Sequence, residues 1–99
     1  MNDLLLNIDK THTTELGKER IIKNLNLCIP LENAVDFCIS KIKDPKCKIT
    51  RLGKNWYCKI DNIIITINSY SYTIITAHIS ISNIWIINII WILNMLVLQ

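Results

Sequence analysis

Four consecutive stretches in the second half of this chain alternate between apolar and polar positions, and each predicts a strand with one covered face. From Asn55 to Ile60, Trp56, Cys58 and Ile60 make one set, and Asn55, Tyr57 and Lys59 the other. From Asn62 to Asn68, Ile63, Ile65 and Ile67 oppose Ile64, Thr66 and Asn68. From Thr73 to Ile79, Ile75, Ala77 and Ile79 oppose Ile74, Thr76 and His78. Upstream, Cys47 and Ile49 alternate with Lys48 and Thr50. Side chains of a strand point alternately to its two faces, so these sets describe an antiparallel sheet with one buried and one open face. Asp61-Asn62 and Asn68-Ser69-Tyr70-Ser71 carry turn-forming residues and suit hairpin connections.

The first half has helical periodicity. A short apolar segment, Asn2 to Lys10, leads in. Thr13 or Thr14 can cap a helix that runs from about Glu15 to Leu27. Its stripe is Ile21, Ile22, Leu25 and Cys28, and Pro30 stops it. A further helix is expected from about Leu31 to Lys43, with Leu31, Val35, Cys38 and Ile42 turned inward and Asp44-Pro45 ending it. Helices followed by an antiparallel sheet predict an α+β domain over residues 1–79, with two or three N-terminal helices packed on one face of four strands.

Charge divides the chain unevenly. The net charge is +3, a mild bias, but all eleven Lys and Arg and all eight Asp and Glu lie at or before Asp61. Residues 80–99 form an uncharged hydrophobic extension of about the length a membrane helix needs. Asn83, Asn88 and Asn94 argue against a span, since each amide is costly in hydrocarbon. A tail anchor, a further strand with a core helix, and an accidental extension of the reading frame remain as readings of it. The location expected is cytoplasmic, with membrane association through the tail as the alternative.

The four cysteines, at 28, 38, 47 and 58, show no Cys-x-x-Cys spacing, and neither histidine is near one in a zinc-site pattern. No metal or other cofactor is expected. Cys28, Cys38 and Cys58 fall on apolar sets and read as reduced core thiols.

Three blocks carry a resemblance to a known family: Thr13-Thr14-Glu15-Leu16-Gly17, Gly53-Lys54-Asn55-Trp56-Tyr57, and Asn68 through His78. On these the chain resembles DUF3781, a small bacterial family of unknown function, over roughly residues 3–78. The resemblance implies a short cytosolic protein ending soon after His78, so residues beyond Ile79 depart from it. The family name carries no activity. More loosely, the order of elements is similar to the RelE/barnase/colicin group of ribonuclease toxins, a fold-level analogy.

The candidate chemistry follows from the open face. His78, and His12 if the fold brings it near, can exchange protons at neutral pH on a phosphodiester. Lys54 and Tyr57 would steady the scissile phosphate. Arg20, Lys48, Arg51, Asn55, Asn68 and Tyr70 would position RNA, with the tyrosines offering rings for base stacking. The expectation is a metal-independent ribonuclease-like domain with RNA, and an antitoxin protein, as partners. The alternative is a non-catalytic module that docks on another protein. The same lysines also serve a purely structural role, blunting an edge strand against aggregation.

Overall fold

A computed structural model describes residues 3–80 and 92–97. Three helices, α1 (Asp3–Leu6), α2 (Glu15–Leu25) and α3 (Ala34–Lys43), precede four strands, β1 (Lys48–Leu52), β2 (Asn55–Ile60), β3 (Ile63–Asn68) and β4 (Ile74–Ile79). The strands pair in sequence order, β1-β2-β3-β4, all antiparallel. The α+β architecture read from the sequence is the one observed. Of the 80–99 extension, positions 92–97 are helical and exposed, and the readings of its remaining stretch fall on 81–91, outside the described residues.

Local chemistry explains the elements. The Thr14 hydroxyl accepts from Gly17 N and caps α2, and Asn26 in the left-handed conformation (φ 54°) ends it, ahead of Pro30. One 3-10 turn, Ile8–Lys10, follows α1, and another, Leu31–Asn33, leads into α3, so that helix starts later than its periodicity predicts. Leu31 is consequently exposed, and Ala34 takes the inward place beside Cys38 and Ile42. Cys28 lies past the end of α2 and is exposed as well, a departure from the expected stripe. Asp61 and Asn62 both have positive φ (51° and 65°), as a tight two-residue hairpin turn requires. Gly53, at φ 61°, opens the β1–β2 turn.

The core lies between the helices and one face of the sheet. Leu4, Ile21, Leu25, Ala34, Cys38 and Ile42 meet Trp56, Cys58, Ile65, Ile67, Ile74 and Ala77. Burying these side chains is the main favourable term holding the layers together. For β1 to β3 the predicted faces hold. In β4 Thr76, Ala77 and His78 keep their predicted faces but the start of the strand does not, because Ile67 pairs with Ile74 while Thr66 pairs with Thr76, which leaves Ile75 as an extra residue in a bulge. Ile74 therefore points into the core, and Ile75, expected inside, is 47 % exposed.

Candidate nucleic-acid interface

Strand register turns the open face into rows. One row runs Lys48, Lys59, Ile64, His78 across all four strands. The next runs Thr50, Tyr57, Thr66, Thr76, and a third joins Leu52, Asn55 and Asn68. Lys48, Lys59 and His78 are exposed, and Tyr57 and Asn55 are half-buried. Thr66, walled by its register partners Tyr57 and Thr76, is 6 % exposed and forms the floor. None of these positions carries a carboxylate. Lys48 and Lys59 are direct cross-strand partners, an arrangement of like charges that costs stability. Neither enters an ion pair among the described residues; Lys41 holds Asp61 (2.9 Å), the nearest turn carboxylate. A cleft of about 360 Å³ adjoins this end and is bounded by Lys46, Lys59, Asp61, Asn62, Ile64 and Ser80.

The other end of the sheet gathers the three sequence blocks. His12 bridges to Thr73: its N–H donates to Tyr72 O (3.1 Å) and its carbonyl accepts from Ile74 N (2.8 Å). Its ring is exposed, with Nδ1 2.9 Å from Lys10 O and Nε2 3.3 Å from Thr73 Oγ1. A carbonyl only accepts, so Nδ1 donates to Lys10 O, while the contact between Nε2 and Thr73 Oγ1 admits a donor from either side. Thr13 Oγ1 donates to Ile74 O (3.2 Å), and Ser69 N donates to Lys54 O (2.7 Å), which ties the two turns together. Tyr72, at φ 60°, packs its ring 5.3 Å from that of Trp56, with Lys10 Nζ 5.6 Å from the ring centroid. A positive φ is rare for an aromatic residue and is held here by these contacts.

Several candidate residues are thus set apart. His12 and His78 stand at opposite ends of β4, about 15 Å apart by the rise of a strand, and share no site. Arg51 lies on the helix-covered face, with its guanidinium 5.6 Å over the Trp56 ring and Nε donating to Gly53 O, away from Lys48. Lys54 is exposed in the β1–β2 turn. The Asn68 carboxamide oxygen is occupied by Tyr70 N, Ser71 N and Ser71 Oγ, so this side chain builds the turn. Tyr70, at the tip, is 77 % exposed. Arg20 is on α2, beside the outer edge of β4 rather than on the open face.

Apart from the exposed Cys28, the thiols lie at or against the core. Cys38 and Cys58 are fully buried, and burial pushes each up to about 12 from the ordinary value near 9. Burial also raises Cys47, whose thiol bonds to Cys58. The alternation of Cys58 with Trp56 and Ile60 made this readable; nothing in the local pattern announced the bulge at Ile75 except two adjacent isoleucines in an alternating run.

Comparison with known proteins returns one family. The model described as "Protein of unknown function (DUF3781)" matches residues 5–78, which takes in all three blocks. No curated protein and no solved structure matches, so the looser likeness to ribonuclease toxins has no structural neighbour behind it. Among the described residues, no helix is long and apolar enough to cross a membrane.

Proposed function

The chain belongs to the DUF3781 family, and within that family we propose that it binds single-stranded RNA on the open face of its sheet. The observation that carries this is the row Lys48, Lys59, Ile64, His78, in which two cations face each other across β1 and β2 while the neighbouring Asp61 carboxylate is already held by Lys41. A phosphate between the two ammonium groups turns their repulsion into attraction. Lys46, at the neighbouring cleft, extends the track by one cation. Tyr57, in the next row, offers a ring on which one base stacks, an interaction tolerant of sequence.

The function is binding. Proton transfer by His12 and His78 acting as a pair is unsupported, since the two rings stand at opposite ends of β4. Anisotropy of a labelled oligouridylate, titrated across a range of salt, tests the reading. Three phosphate contacts predict a slope of log affinity on log salt of roughly −2. Combining Lys48→Glu with Lys59→Glu should abolish binding, and Tyr57→Ala should weaken it about tenfold. Full affinity in the double lysine variant would refute the proposal. Intact oligouridylate after long incubation is also expected, and its cleavage by the wild type but not by His78→Ala would restore the catalytic reading.

A further inference from the structure

We propose that the groove between α2 and the outer edge of β4 takes an extended acidic segment of a partner protein, which adds to the sheet as a fifth strand. β4 is a terminal strand, and among the described residues its outer edge is occupied at one end. There His12 pairs with the backbone of Tyr72 and Ile74, and Thr13 Oγ1 satisfies Ile74 O. From Ile75 onward the outer backbone groups have no partner among the described residues. Such an edge is a template for another strand, and main-chain hydrogen bonds supply the affinity of strand addition.

The surroundings fit a peptide. A groove of about 320 Å³ runs along this edge, walled by Thr13, Thr14, Gly17, Arg20 and Asn24 on one side and by 73–77 on the other. The bulge turns Ile75 outward, where it offers an apolar contact to an arriving strand.

Charge selects the occupant. The lining contains no Asp or Glu, and Arg20, exposed, forms no ion pair among the described residues. Glu15, one turn earlier on α2, is already held by Lys18 at 2.8 Å. A guanidinium matches a carboxylate through two parallel hydrogen bonds, so an acidic side chain in the added strand completes the site. A second copy of this chain, pairing β4 with β4, would instead bring two uncompensated Arg20 side chains to one edge.

The test uses the full chain, isotopically labelled, and two synthetic probes: a peptide alternating valine with glutamate, and its valine–lysine counterpart. The glutamate peptide should slow amide exchange within Thr76–His78. Arg20→Glu should weaken that peptide roughly fivefold or more and make the lysine peptide the better ligand. Arg20 is exposed, so an unchanged melting temperature verifies that the variant is folded. The Lys48→Glu, Lys59→Glu variant should still bind the peptide, which separates this site from the RNA face. Equal binding of both peptides, protection by neither, or protection that grows with protein concentration alone would overturn the proposal, the last by naming a second copy as the occupant.

Discussion

The two edges of the sheet are guarded by different means. β1 exposes Lys48 and Arg51, while α3 lies chiefly against β2. β4 has no charged residue and exposes Ile75 and Ile79, 47 % each, yet α2 lies along it and the His12–Thr13 strap closes its first residues. Charge guards an edge along its whole length, because any strand that approaches must desolvate it. A strap guards only what it touches. On the readings proposed above, the charged edge draws anions and the strapped edge draws strands, so one small sheet would offer two surfaces of opposite chemistry.

The largest expected effect comes from the thiols, which belong to the β1 side: Cys58 is the register partner of Ile49, and Cys38 projects from α3. Both are raised to about 12. Above pH 9 the unfolded chain loses these protons while the folded chain keeps them, so stability is complete below about 9 and is lost as pH climbs toward 12. Each thiol contributes a slope on the order of 1 kcal/mol per pH unit in that window. Urea unfolding from pH 8 to 11 should show the loss, and Cys38→Ala with Cys58→Ala should remove most of it, although that variant starts less stable. An unchanged slope would assign the loss to lysines. Amide exchange at pH 10 should rise in β1 and β2 before β4.

On the other edge the strap depends on Gly17. A Cβ there would lie 2.1 Å from Thr13 Oγ1 and 3.1 Å from Thr13 Cβ. Gly17→Ala gains about 1 kcal/mol of helix propensity but displaces Thr13 and orphans Ile74 O. A net destabilisation of about 1–2 kcal/mol is expected, readable as a shift of the urea midpoint. In a Thr13→Ala background the Gly17→Ala change should become much less destabilising or neutral, because the hydroxyl it collides with is gone and only the contact with the residue-13 Cβ remains. Additive effects in this cycle would mean that the two residues are not coupled and that the strap does not work as described.

These edges also mark how far the sequence could be read. Period-two alternation placed β1, β2 and β3 on their correct faces, and with them Lys48, Tyr57 and Lys59. It also placed Thr76, Ala77 and His78, and failed only at the start of β4, where Ile74-Ile75 offers two apolar residues to one inward place and the partner strand decides between them. The isolation of His12 from His78 was invisible, since it depends on a contact between residues 61 positions apart. Gly17 did leave a trace: a glycine inside a predicted helix costs stability unless something packs close to it. That something was Thr13, four residues earlier in the same block.

The smallest effect discriminates most sharply between the edges. Lys48→Glu replaces a like-charge cross-strand pair with an opposite one and should stabilise the protein by about 0.5 kcal/mol, or a few degrees in Tm. The same change should weaken oligouridylate binding and reduce its salt slope, because a contact to phosphate becomes a repulsion. A variant that is more stable yet binds less is what a surface kept cationic for a ligand predicts. If Lys48 served only to blunt the edge, the variant would bind oligouridylate as the wild type does, since glutamate deters an approaching strand equally well. Stability and binding measured on this one variant thus separate a guard from a site.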